Sequence, residues 1–275
     1  MPDTAPISPQ AAALRARYRE APAPVLWNEV VSSLLAHRSV RHFRPDPLPD
    51  GALEAAVAAA SSAATSSNLQ TWSVIAVQDP GRRAQLAELA GAQGFIRQAP
   101  LLLVWLADLS RLDRLAEWRG DSVEGPHYLE LLLVATIDAA LAAQNAVVAL
   151  ESLGLGTVYI GAMRNKPEAV AEALGLPPHV FAAFGLSVGW PDPEVPAAVK
   201  PRLPPSVVLH HEQYQATSLE AMEGYESRMG AFQSEQRMPP EPWISRCLNR
   251  VRGVKSLAGR DRMRAALAAL GFELR

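Results

Sequence analysis

Cysteine is nearly missing from this sequence: a single residue, Cys247, in a chain of 275. A lone cysteine excludes an internal disulfide and a thiolate metal site, and it suits a reducing cytoplasm. Net charge is missing too. Lys and Arg number 26 against 28 Asp and Glu, and a pI near 6.3 gives no basic face for nucleic acid. No His/carboxylate spacing fits a metal; the neighbouring His210 and His211 diverge and read as a polar strand end. No G-x-S-x-G or similar grouping marks a nucleophile, and there is no P-loop. The glycines of "LGLGTVYIG" (153–161) fail as a dinucleotide fingerprint, because Tyr159 stands at the third glycine position. They also precede a strand, where a phosphate loop must follow one. No internal repeat is visible. The first residues lack a charged segment followed by an apolar run and a cleavage site, so secretion is not expected.

What is present is apolar. Hydrophobic residues make up 49% of the chain, enough for one large domain, or one domain with an appendage. Residues 1–24 are rich in Ala and Pro, carry Arg15, Arg17 and Arg19, and read as a flexible N-terminal arm. The run "LLLVATIDAALAAQNAVVAL" (131–150) has membrane length. Asp138, Gln144 and Asn145 interrupt it, and Glu130 and Glu151 flank it without an anchoring cation. Apolar on all sides, it reads as a helix buried in a protein or an interface, not as a membrane span.

Around it the pattern is α+β. Helices are expected over 26–36, from Asp50 as a capping residue through "GALEAAVAAASSAA", over "RRAQLAELAG", and over "PEAVAEALG" with Pro167 in its first turn. Strands are expected at 72–78, 101–107, 156–161 and 183–190; 101–107 is continuously apolar, as an inner strand covered on both faces would be, and 156–161 and 183–190 read as further inner strands. A further strand is expected at 206–210, then three more helices.

Two stretches carry polar chemistry. "HRSVRHF" (37–43) concentrates positive charge in a chain of net charge −2; it is either a solvated basic turn or a seat for an anion. "SSAATSSNLQTW" (61–72) offers small hydroxyls at a helix-to-strand junction, either as loop material or as hydrogen-bond partners of a flat polar ligand.

In order along the chain stand "HRSVRHF", "SSAATSSNLQTWSVIAV", "GAQGFI", "AAQNAVVALESLGLGTVYIGAMRN", "FGLSVGWP" and "KPRLPPSVVLHHEQY". This ordered set resembles the flavin-dependent nitroreductase family, in particular its NADPH-dependent branch of oxygen-insensitive nitroreductases and flavin reductases. The resemblance covers roughly residues 28–270. It implies an FMN-dependent nitroreductase-like α+β fold, with a small mixed central sheet flanked by helices. It also implies an obligate homodimer with one FMN per subunit, and a C-terminal arm wrapping the partner. The corresponding division is an arm over 1–24, a flavin-binding core over 25–205 and a C-terminal extension over 206–275.

Carried over by motif, His37, Arg38, Ser39 and Arg41 match the first flavin-contacting segment, and Thr65, Ser66 and Ser67 match the hydroxyl loop. Gln93 matches the glutamine of a "GGQ"-type turn. Tyr159, Ile160, Gly161 and Ala162 match the segment beside the ring, and Lys200 and Arg202 the basic pair. The chemistry agrees with these placements. Arg38, Lys200 and Arg202 suit a phosphate, with Ser39 and His37 assisting. A cation at Arg41 suits the negative charge that hydride transfer puts at the flavin N1/O2 edge. Arg41, Ser67, Asn68, Lys200 and Arg237 are the expected contacts of NADPH or NADH. Asn68 replaces an aromatic residue of one relative, Ala162 a glycine, and Arg237 is alone where relatives carry an arginine-rich loop.

The function implied is an FMN-dependent NAD(P)H oxidoreductase. It passes electrons to nitroaromatics, quinones or free flavin by a ping-pong cycle, without a catalytic side chain and without a metal. The alternatives are a flavin-binding sensor or carrier, and a reductase specialised for one metabolite. A cytoplasmic homodimer with no nucleic-acid or membrane partner is expected.

Overall fold

A computed structural model describes residues 7–20 and 25–275; the remainder of the expected arm, 1–6 and 21–24, lies outside the described residues. The helices are α1 (Pro9–Tyr18), α2 (Glu29–Ala36), α3 (Ala52–Ser61), α4 (Pro80–Leu89), α5 (Gly94–Gln98), α6 (Ser110–Arg119), α7 (Leu129–Ser152), α8 (Pro167–Leu174), α9 (Pro205–Val208), α10 (Leu219–Glu235), α11 (Trp243–Val251) and α12 (Met263–Ala269). The strands are β1 (Trp72–Val77), β2 (Leu101–Asp108), β3 (Gly156–Ile160) and β4 (Val180–Gly189). Two compact units result: Met1–Arg38 with Ala197–Leu257, and Ser39–Pro196 with Ala258–Arg275.

Local sequence explains most boundaries. Asp79 accepts from the Arg82 N–H ahead of Pro80, a capped start with proline where no N–H is missed. Gly175 ends α8 in the left-handed region at φ 65°. Two expectations are corrected. The N-cap of α3 is Gly51, at φ 81° and with no side-chain cap, in place of Asp50. The expected strand at 206–210 is instead the single helical turn α9, entered through Pro204 and Pro205; a proline has no N–H for a ladder but suits a helix's first position.

The larger unit is built on one sheet, in the order β1-β2-β4-β3 with all three ladders antiparallel. Its parallel component is one bridge between Ser39 and Thr157. Side chains alternate across a strand, so β2 supplies both faces. Leu101, Leu103 and Trp105 pack with Ala142, Val147 and Leu150 of α7 and Ala56 of α3. Leu102, Val104 and Leu106 pack with Leu86 of α4, Ile160 and Val170 of α8. That two-sided burial is why β2 reads as an unbroken apolar run. The strand expected at 156–161 as an inner strand lies instead at the sheet's edge. The chain's end closes a third cluster, where Phe272 meets Ala107, Leu109 and Phe181.

One irregularity positions the ring-side segment. The β2/β4 register slips between Trp105 and Leu106, leaving Ala183 without a partner across the ladder. Its carbonyl accepts from the guanidinium of Arg164, at the end of the short 3-10 turn Gly161–Asn165. A bulge that loses a ladder bond is thus satisfied from the segment it supports.

The smaller unit is helical. Tyr225, Met229 and Phe232 of α10 form its core with Leu203, Met238 and Trp243, and the Tyr225 and Trp243 rings meet edge to face at 4.8 Å.

Candidate functional site

The basic segment is held at alternate points. Val40 and Phe43 are buried; Val40 N–H donates to Thr157 O at 2.9 Å, and Phe43 bridges Pro191. Arg41 and His42, between these anchors, are exposed. Gly156 makes the fit possible, since a Cβ there would lie 2.7 Å from Val40 Cγ2. Beside it, Glu151 accepts from Thr157 Oγ1 at 2.8 Å.

The hydroxyl loop is built around one buried carboxylate. Asp138 of α7 is 2% exposed. Its Oδ2 accepts from Thr65 Oγ1 at 2.6 Å, Thr71 N–H at 3.1 Å and Thr71 Oγ1 at 3.0 Å. Its Oδ1 accepts from Ser66 N–H at 3.3 Å. Between these pinned residues lie three non-glycines in the left-handed region: Ser67 (φ 48°), Asn68 (φ 55°) and Gln70 (φ 53°). Such backbone costs roughly 1 kcal/mol or more per residue and persists only where surroundings over-determine it. Asp138 supplies that determination, and Ser67 and Asn68 stay exposed. Just beyond lies an open depression of about 560 Å³ lined by Asn68, Gln70, Trp72 and Arg111.

Gln93 is the N-cap of α5, half-buried, its amide donating to Ala90 O at 3.0 Å. On β3, Ile160 is buried and Tyr159 is 38% exposed, its ring edge-on to Phe184 at 5.5 Å. Burial first, then the Glu151 carboxylate, raise the Tyr159 phenol well above its ordinary value. It therefore stays protonated and donates to Gln144 Oε1 at 3.4 Å. Gly161 and buried Ala162 open the turn that Arg164 anchors.

The smaller unit holds the other expected cations. Arg38 and Arg202 are exposed, Lys200 half-buried. Each residue of "KPR" is fixed through its main chain. Lys200 O accepts from Arg17 Nη1 at 2.9 Å, Pro201 O from the Tyr225 hydroxyl at 3.0 Å, and Arg202 N–H donates to Arg17 O at 2.9 Å. Burial raises the Tyr225 phenol, against an opposing pull from Arg202. Arg17 also donates to Leu35 O and His37 O, at 2.9 and 2.8 Å, so it draws the His37–Arg38 and Lys200–Arg202 segments together. Arg237 stands exposed after α10 in the left-handed region, φ 51°, and none of these hydrogen bonds joins it to the other cations.

Asp138 and Arg17 are the two residues that motif reading passes over. The signal for Asp138 is there: one acid in a helix otherwise apolar on all sides needs a buried set of donors. Arg17 gives none, being one of three arginines in an Ala/Pro-rich arm.

Comparison with known proteins gives a consistent answer. A family model described as Nitroreductase family matches residues 34–190, and one described as Nitroreductase family, C-terminal domain, matches residues 200–275. The oxygen-insensitive NADPH nitroreductase of Salmonella typhimurium is 40% identical over 204 residues, 74% of this chain and 81% of that protein. The NADPH-flavin oxidoreductase of Vibrio harveyi is 38% identical over 207 residues, 74% of this chain and 82% of its own length. Among solved structures, B. megaterium NfrA2 superposes with a TM-score of 0.86 at 35% identity, covering 90% of this chain and all of the other. The NADPH:FMN oxidoreductase from Vibrio harveyi complexed with NAD+ gives 0.80 at 34%, again over 90% of this chain and all of that one.

Proposed function

This chain belongs to the nitroreductase family, and from that membership we infer that it is an FMN-dependent oxidoreductase drawing on NAD(P)H. The observation that carries the reading is 40% identity to an oxygen-insensitive NADPH nitroreductase across four-fifths of that protein's length. When bound, FMN would supply the hydride chemistry between NAD(P)H and a small acceptor. The donor set fits the group. Arg38, Lys200 and Arg202 offer three cations on fixed backbone, as a phosphate requires, and no adenine-binding motif points to FAD.

We propose the following roles for the side chains. His37 and Ser39 assist the phosphate cations. Thr65, Ser66 and Ser67 line the flavin's polar edge from a loop that Asp138 keeps from collapsing. Gln93, with the main chain of Ile160 and Gly161, suits the pyrimidine edge, while Tyr159 and Ala162 border the ring. Arg41 holds negative charge at N1/O2, and it contacts NAD(P)H together with Ser67, Asn68, Lys200 and Arg237. No side chain need exchange a proton, because water can. We further propose a cytoplasmic homodimer, for which exposed Cys247 is suited. The apolar stripe Leu129, Leu133, Ile137 and Leu141 on α7, all exposed, is the face we assign to the second copy. Of the C-terminal extension, α10 and α11 are the part assigned to the partner, since residues 258–275 pack into their own chain's larger unit.

Purified protein tests this directly. Heat-released flavin should chromatograph as FMN, and anaerobic NADPH should bleach it, with nitroaromatic or quinone restoring the colour. FAD, or no flavin under saturating supply, refutes the cofactor assignment. A flavin that NAD(P)H does not bleach makes the protein a sensor or carrier instead.

A further inference from the structure

The N-terminal arm holds a helix, α1, whose last turn carries a buried arginine. Arg17 is 6% exposed. Its guanidinium donates to three main-chain carbonyls, Lys200 O, Leu35 O and His37 O, at 2.8 to 2.9 Å, while its own carbonyl accepts the Arg202 N–H. Those carbonyls belong to two stretches about 160 residues apart in sequence. One precedes Arg38, and the other bears Lys200 and Arg202. A hydrogen bond from a charged donor is stronger than a neutral one, and the fork of a guanidinium fixes direction as well as distance. The two backbones are therefore set by one side chain.

The helix that presents Arg17 is itself tied down. Ser8 caps it by accepting from the Ala11 N–H, and Leu14 is buried. At its far end, Arg19 makes a two-pronged pair with Glu235 at 2.8 Å and lies over the Phe232 ring. Glu20 pairs with Arg228 at 3.4 Å. Position 17 lies ahead of both matched family segments, which begin at residues 34 and 200. α1 thus lies outside both matched segments, and through Arg17 it reaches the residues read as the phosphate site.

We propose that Arg17 is a positioning residue for the phosphate end of the flavin site. It holds the Lys200–Arg202 segment against the His37–Arg38 segment, so that three cations stand ready before the ligand arrives. This rests on the reading of Arg38, Lys200 and Arg202 as the phosphate set. Preorganisation lowers the ordering cost that binding would otherwise meet, and the gain falls on the phosphate alone. Riboflavin, which lacks the phosphate, should not feel it.

The test compares FMN with riboflavin on the full chain stripped of flavin, by quenching of flavin fluorescence. In Arg17→Met, FMN binding should weaken at least about tenfold, the scale of one or two charge-assisted hydrogen bonds, while riboflavin binding changes less than about twofold. Arg17→Lys, which keeps the charge but not the fork, should fall between; it carries the test alone if Arg17→Met does not fold. Equal weakening of both flavins would mean a merely structural arginine, and an unchanged preference would mean no role; either overturns the proposal. Arg38→Ala is the control for the underlying reading. If Arg38→Ala lowers the preference for FMN and the Arg17 variants do not, the positioning role is wrong and the phosphate site stands. If none of them lowers it, the phosphate site itself is misplaced and the proposal falls with it.

Discussion

At the scale of residues, two side chains make opposite contributions. Asp138 works through the fold. In Asp138→Asn the remaining oxygen can keep the Thr65 and Thr71 donors, but the new amide then faces the Ser66 N–H, donor against donor. The expected loss is about 1–3 kcal/mol, whereas Asp138→Leu forfeits all four hydrogen bonds and should cost more; urea midpoints with unchanged slope would measure both. Arg41 is proposed to work through charge. Arg41→Ala should lower the flavin midpoint potential by about 30–60 mV, from a charged hydrogen bond of about 1.5–3 kcal/mol, and should barely affect FMN affinity. A dye-equilibrated redox titration decides it, and an unchanged potential removes Arg41 from the N1/O2 edge. Of the proposed site, the segments around residues 37–41, 65–68, 159–162 and 200–202 stand out in the sequence because polar chemistry crowds there in a set order. Arg17 does not stand out, because its partners are main-chain groups silent in composition, and the donors to Asp138 lie about 70 residues away in sequence.

At the scale of elements, the closest fit is between the basic segment and β3. Gly156→Ala would drive a methyl into Val40 at 2.7–3.0 Å and should cost about 1–3 kcal/mol. Val40→Ala alone also destabilises, by opening a void. The double variant should recover part of the Gly156→Ala loss, a coupling that thermal melts of the four proteins in the cycle would reveal. The "KPR" segment leans on α10 through Tyr225, whose phenol titrates higher in the fold than its ordinary value near 10. A raised folded value means stability present below about pH 10 and lost as pH rises beyond it. Tyr225→Phe should blunt that alkaline loss while costing about 1 kcal/mol at neutral pH, where the Pro201 carbonyl loses its donor; melting temperature against pH shows both. Helices and strands with clear periodicity were readable from sequence. The start of α3 was not, because Asp50 and Gly51 are both good caps and only the backbone angle chooses between them. The turn at α9 was misread because "SVVLH" has strand-like residues, while the two prolines before it deny a ladder.

At the scale of the molecule, α7 turns one face inward and one outward. Its buried side carries Asp138 and the alanines packed under the sheet, and its other side shows the stripe Leu129, Leu133, Ile137 and Leu141 to solvent. If that stripe receives a second copy, Leu133→Glu with Ile137→Glu should give a monomer that has lost most of its flavin. Sedimentation with absorbance in the visible follows both, and a flavin-loaded monomer of the unaltered chain would refute the dimer. The all-round apolar pattern of α7 announced that it needed cover, but not which half its own chain provides. The division into two units was not readable at all, because each is assembled from distant stretches of sequence. That discontinuity bears on how the protein is made. Domains formed from a continuous stretch can fold as they leave the ribosome. Here the smaller unit needs residues up to Leu257, and the larger is not closed until Phe272 fills its place beside Ala107 and Phe181. Until Phe272 has emerged, the nascent chain therefore exposes strands whose core is unfinished, and it should lean on chaperones over that whole interval.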